Sequence, residues 1–227
     1  MSAAADTSQD ESMTERAPRS SDAGAAPPAK RGSLRSTQKA VTRRLILEAA
    51  QRVFAEAGYH AASVDQITGE AGASRATFYL HFGTKADVLE NFIGLATERY
   101  AEQYTMLSEI MRAPTLPTLR VWLLSAMDRW PDIADLMRPV FEATAAHPDL
   151  YQRFFPDDLP GNQEMRRSLL ESGIVTDPGM ATEVAAVMFA PLYHYMRVHL
   201  RGEPYPREAI ADLIAGSWLA VIAAAER

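Results

Sequence analysis

The sequence predicts an all-α chain, with a small three-helix head followed by a larger helical body. Two patterns predict it. From Val41 onward apolar residues recur at three-to-four spacing, and no window alternates β-branched residues with period two. Glycine and proline then cut this pattern into pieces of helical length, at Gly58, Gly72, Gly83, Pro114, Pro131, Pro148, Gly173 and Gly202. Charge separates head from body. The 227 residues carry a net −6, yet residues 30–85 hold nine Lys/Arg against four acids. That is a net of +5, against −3 for residues 1–29 and −8 for residues 86–227. A basic module on an acidic body suits a molecule with one end facing phosphates; a solvated charge cluster gives the same count.

The elements follow in order. Residues 1–36 are rich in Ala, Ser, Pro and acids with nothing large to bury, which predicts a disordered tail. A first helix over about Thr37–Ala57 carries the stripe Val41, Leu45, Ala49 and Val53, and Gly58 stops it. Ser63-Val-Asp-Gln66 is a capping-box start for a short second helix ending at Ala71-Gly72. Ser74 caps a third helix through Phe82, and Thr84 caps a fourth over about Lys85–Arg112, roughly 40 Å long. Further helices are expected at about 118–130, 132–147 (bent or broken at Pro139), 148–155, 161–172, 178–201 and 206–225.

The second and third helices, joined by Gly72-Ala73, form a helix-turn-helix candidate, because Gly72 supplies the positive φ that the turn needs. Phe78 and Phe82 lie four apart and define the buried side of the third helix. Ala76, Thr77, Tyr79 and Leu80 fall on the other side and its edges, with Arg75 near the N-terminus. In a major groove, hydroxyls reach phosphates or base edges, and Leu or Ala meets a thymine methyl. The alternative is that Tyr79 and Leu80 pack on the arm or the next helix. His81 is either a phosphate contact or a packing residue.

The run from Thr42-Arg-Arg-Leu through Val53-Phe-Ala-Glu-Ala-Gly-Tyr59, Ser63-Val-Asp-Gln-Ile67 and Ala71-Gly-Ala-Ser-Arg-Ala-Thr-Phe-Tyr-Leu-His-Phe82-Gly-Thr-Lys85 resembles the DNA-binding domain of TetR (tetracycline-repressor) transcription regulators over about 42–90. The resemblance implies an Ω-shaped all-helical homodimer whose small-molecule effector releases the DNA. By position it puts Thr42, Ser63 and Lys85 on phosphates. It puts Arg75, Thr77, Tyr79, Leu80 and His81 in or beside the groove, with Arg75 and Ala76 at base-reading positions. Ala73 departs from the family pattern, standing where a larger aliphatic is usual. The organisation expected is then a tail over 1–36, a DNA-binding head over 37–84, and a ligand-binding and dimerisation body over 85–227.

Other chemistry finds little footing. Zero cysteines remove disulfides, thiol nucleophiles and cysteine-ligated metal. His194 and His199 do not share a helix face, and neither H-E-x-x-H, G-x-S-x-G nor a phosphate loop occurs, so no catalytic residue, metal or cofactor is expected. Asp157-Asp158 reads as a solvated loop, and Arg138 with Glu142 as a surface pair. The body's aromatic and Met side chains read first as core. Should they enclose a largely apolar effector pocket, Trp122, Met137, Phe141, Met165, Phe189 and Tyr193 are its candidates. The run Ala209–Ala225 is 17 residues long and holds Asp212, whereas a membrane span needs about 20 strongly apolar residues, so a buried helix is expected. One of its sides needs a partner, and with the helix at 178–201 it predicts a C2 dimer matching a pseudo-palindromic operator on double-stranded DNA. The expected location is the cytoplasm, with no membrane contact.

Overall fold

A computed structural model describes residues 29–156, 158–199 and 206–225. Contacts divide the chain into two units, residues 1–39 and 40–227. Of the first, residues 29–39 are described; they are helical, and residues 35–39 are exposed. Among the described residues there are ten helices and no strand.

Helix α1 (Ala29–Ala61) starts eight residues before the expected Thr37. The expected tail therefore reaches at most residue 28, and residues 1–28 lie outside the described part. Between Pro28 and Pro114 the sequence has no proline, and Lys30, Arg31, Leu34 and Arg35 are good helix formers, so nothing stops the helix from reaching back. Gly58 interrupts α1 at φ 76° and ψ 161°, a backbone region essentially restricted to glycine. Next come α2 (Val64–Glu70), α3 (Arg75–His81) and α4 (Lys85–Ile110). The 26 residues of α4 span roughly 39 Å.

The remaining helices are α5 (Leu116–Arg129), α6 (Pro131–Ala146), α7 (Pro148–Phe154), α8 (Pro160–Glu171), α9 (Pro178–His199) and α10 (Arg207–Ala225). Proline opens α6, α7 and α8, where its missing N–H is one that no helix would use. Helix α6 runs on through Pro139, and α9 through Pro191. In the body α4 packs on α5, α6 and α8, α8 on α9, and α10 on α5 and α9. Trp122, Phe189 and Trp218 stack there with ring centroids 5.4–6.1 Å apart, joining α5, α9 and α10.

Three expectations change. Asp158 is no solvated residue: it is half-buried at φ 97°, and its carboxylate accepts from the Leu159 N–H (2.7 Å) and the Asn162 amide (2.9 Å), fastening the start of α8. Asp157 lies outside the described residues. Arg138 does not pair with Glu142; its nearest carboxylate is that of Asp135 at 3.9 Å, because Glu142 is engaged elsewhere. Finally, α10 buries Ala211, Ile214, Ala215, Trp218 and Ile222 but leaves Leu213 69% exposed. Its length and composition would suffice to cross a membrane, and the mostly uncovered surface is that of a helix only half packed.

Candidate nucleic-acid interface and effector cavity

The head is built by local capping. Ser63 Oγ accepts from the Gln66 N–H (3.2 Å) while Gln66 Oε1 accepts from the Ser63 N–H (2.8 Å), closing the capping box that starts α2. Gly72 turns the chain at φ 62°, and Ser74 Oγ takes the Thr77 N–H (3.0 Å) to start α3. Ile67, Phe78 and Phe82 then face inward, all essentially sealed. With that side fixed, the opposite flank has no choice of direction. Tyr79 is 49% and Leu80 70% exposed, and Arg75 and Ala76 are exposed beside them. Helix α4 leaves both Tyr79 and Leu80 uncovered.

The basic residues divide into two groups. Arg75 points outward, with Asp65 at 2.7 Å and its guanidinium 6.0 Å from the Tyr79 ring. Arg43 points inward, donating to the His81 carbonyl (3.1 Å) and to Asn91 Oδ1 (2.6 Å) above the Phe82 ring. Lys85 also turns inward: its ammonium donates to the carbonyls of Tyr59 (2.5 Å) and Ala62 (2.7 Å) over the Tyr59 ring, and desolvation lowers its pKa. These two bonds use two of its three donors. Thr42 and His81 are half-buried, the His81 ring lying against Phe82. Ser63 and Thr77 spend hydroxyl capacity on their own helix starts.

A junction joins this head to the body. Glu142 Oε2 on α6 accepts the Tyr59 N–H just past the Gly58 break (2.9 Å), and its carbonyl meets His60 Nε2 at 3.3 Å. Arg153 on α7 bridges Asp87 (2.5 Å) and Glu90 (2.7 Å) on α4. Burial pushes the Asp87 carboxyl up, but hydrogen bonds from Arg153 and Thr84 outweigh it and hold the group below the usual carboxylate range. Neither Glu142 nor Arg153 was legible as a junction residue, since each partner lies more than sixty residues away.

Within the body, α4, α5, α6 and α9 enclose a cavity of about 60 Å³. Trp122, Met137, Phe141, Phe189 and Tyr193 line it. Met165 does not; it is fully buried on α8, outside the lining. Tyr100, Tyr104, Trp130, Phe155 and Met196 also line the aromatic and thioether wall, and among the described residues no charged side chain contributes to it. The four-residue spacing of Ala96, Tyr100 and Tyr104 on α4 was the available signal, and it reads equally well as core. Burial pushes the Tyr104 hydroxyl up to about 12 and that of Tyr193 well above its ordinary value, so both stay neutral donors.

Residues 46–92 match the family model of bacterial regulatory proteins, tetR family. The transcriptional repressor BepR of Brucella suis is 37% identical over 70 residues, covering 31% of this chain and 32% of that protein. The transcriptional activator FasR of Mycolicibacterium smegmatis is 26% identical over 139 residues, 61% of this chain and 50% of that protein. The chain thus spans between a third and a half of the length of these curated relatives. Among solved structures, a TetR-family regulator from Mesorhizobium loti superposes with a TM-score of 0.59 at 19% identity, covering 81% of this chain and 98% of the other. SmeT, repressor of a Stenotrophomonas maltophilia multidrug efflux pump, does so with a TM-score of 0.54 at 19% identity, covering 78% and 88%. These likenesses concern the fold, whereas the family match falls on the helix-turn-helix residues themselves. Through this head the chain is similar to bacterial regulatory proteins of the tetR family.

Proposed function

We propose that the chain is a ligand-responsive transcription regulator. The head, residues 37–84, reads double-stranded operator DNA, and the body, residues 85–227, holds a largely apolar effector and dimerises. The observation that carries the reading is the α3 flank: Tyr79 and Leu80 stand in water on a seven-residue helix whose other side is sealed by Phe78. Soluble domains bury such side chains when a neighbour is available, and a contiguous uncovered pair next to Arg75 suits a major groove. Ala76 and Thr77 extend that surface, and Ser63, Thr42, His81 and the third donor of Lys85 supply phosphate contacts around it.

The dimer is supported by α9 and α10. Leu213 and Val187 are strongly exposed, and Pro191, His194, Tyr195, Val198, Ile210 and Leu213 border an apolar groove of about 370 Å³. A second copy covering this groove places two heads for successive half-sites, about 34–36 Å or a multiple apart. The protein then works in the cytoplasm, and no catalytic step is assigned to it. Effector binding acts by preferring one head spacing over the other, to the extent of its differential affinity. Relatives include both repressors and an activator, so release from DNA by effector, the repressor mode, is the reading tested first.

Selection from a random-sequence DNA pool tests the core of this reading. The expected product is a two-fold symmetric site bound with strong salt dependence. Recovery of no enriched sequence, or of binding equal on every duplex, overturns it. Sedimentation at micromolar concentration is expected to give a dimer, and Leu213→Glu a monomer.

A further inference from the structure

The chain has three tryptophans, and their indole N–H groups are not treated alike. Trp122 Nε1 donates to the Gln103 carbonyl (2.8 Å), and Trp218 Nε1 to the Met188 carbonyl (2.5 Å). Trp130 is 3% exposed, its Nε1 is shut off from solvent, and it meets no acceptor. An indole nitrogen can only donate, so this proton has no use inside the unliganded body. A buried donor left unmade is a standing cost to the fold, of the kind that native structures keep where a group has another use.

Trp130 lies at the joint of α5 and α6 and forms part of the cavity wall, its ring 6.4 Å from that of Phe141. Three other polar groups along the wall have partners inside the protein. Tyr100 hydroxyl donates to the Ala126 carbonyl (2.6 Å) and Thr97 Oγ1 to the Ile93 carbonyl (2.9 Å), while the Tyr193 oxygen accepts backbone N–H bonds at the start of α8. Among the described residues none that lines the cavity carries a charge, so neither a cation nor a carboxylate finds a counter-ion there. At about 60 Å³ the cavity is far below the roughly 300–1,000 Å³ of drug-sized sites, so an effector must part the Trp130 and Phe141 rings as it enters.

We infer that Trp130 Nε1 is the polar anchor of the effector site, and that the effector is a neutral, mainly apolar molecule carrying a hydrogen-bond acceptor such as a ketone, ester or lactone carbonyl. This rests on the effector-cavity reading above. A shape-matched trio of probes tests it, namely acetophenone, ethylbenzene and benzoate. Acetophenone is expected to bind the full chain about tenfold tighter than ethylbenzene, the value of one net hydrogen bond, with benzoate weakest. Of the three indole signals in a ¹H–¹⁵N spectrum, assigned by single Trp→Phe variants, only that of Trp130 should move downfield with the ketone. Trp130→Phe should bind both neutral probes equally.

Equal binding of ketone and hydrocarbon to the wild type, with the Trp130 signal still, overturns the anchor and leaves the cavity reading standing. Benzoate binding tightest overturns the neutral class. Binding of none of the three overturns the anchor together with the cavity reading. The spectrum of the wild type carries the test even if Trp130→Phe does not fold.

Discussion

The α3 flank and the body cavity use the same side chains in opposite settings. Tyr79 and Leu80 stand uncovered in the head, whereas Tyr104, Tyr193 and Leu192 close over a small apolar space in the body. The difference is one of what surrounds them. In the head the seven-residue α2 and the adjoining part of α1 offer only enough neighbours to cover one side of α3, and Ile67, Phe78 and Phe82 take that cover. In the body α4, α5, α6 and α9 all contribute aromatic residues to one shared wall. A tyrosine outside is therefore available for recognition at once, while a tyrosine inside becomes available only when the rings around it part.

The contrast is sharpest at the covered side of α3. Phe78→Ala removes a fully sealed ring from the smallest part of the core and should cost about 3–5 kcal/mol, read as a lowered urea midpoint. If the head retains its stability, its two sides are not as different as the burial pattern says. In the body the corresponding change is Gly161→Ala. A Cβ there would stand 2.6 Å from the Tyr193 hydroxyl and 2.7 Å from the Phe189 ring, both cavity-wall residues. Overpacking of this kind should cost about 1–3 kcal/mol and lower Tm by several degrees. It should also weaken apolar probe binding while leaving DNA binding by the head unchanged. Tyr79→Ala should do the reverse: stability within about 0.5 kcal/mol of wild type, but operator affinity reduced at least tenfold in a gel shift. Unchanged affinity would remove Tyr79 from the interface.

What could be read from the sequence follows sequence distance. Ser63 with Gln66, Ser74 with Thr77 and Thr84 with Asp87 are contacts over three residues, and capping chemistry fixes them without knowledge of the fold. Gly58 and Gly72 are legible for the same reason, as each ends a helix by a backbone conformation that glycine alone adopts freely. Arg43 and Lys85 both belong to the basic stretch over residues 30–85. Their carbonyl and amide partners lie 23 to 48 residues away, so their inward turn depends on the assembled head. Glu142 was paired with Arg138 by helical spacing, but the Tyr59 N–H, 83 residues away, holds it instead. In the cavity the body's large apolar residues are visible in the sequence, but which of them share one wall is not. Met165 faces the core on α8 because of how that helix is rotated, which periodicity does not give.

The smallest effect expected lies between the two regions, at Asp87. Its carboxylate accepts from Arg153 of the body (2.5 Å) and from the Thr84 N–H (2.9 Å) and hydroxyl (2.8 Å) of its own helix start. Because these bonds hold its folded pKa below the unfolded value of 3.8, its contribution is complete above about pH 4 and is lost as pH falls through the folded value. Asp87→Asn keeps the shape but removes the charge. At pH 7 it should cost about 1 kcal/mol, the usual worth of a helix cap, trimmed by solvent screening of a group that is partly exposed. Urea midpoints of wild type and variant should then converge as the pH is lowered below 4. A gap that persists unchanged at pH 2.5 would mean that the loss is one of shape, and that the Arg153 bridge adds nothing electrostatic to the joint between head and body.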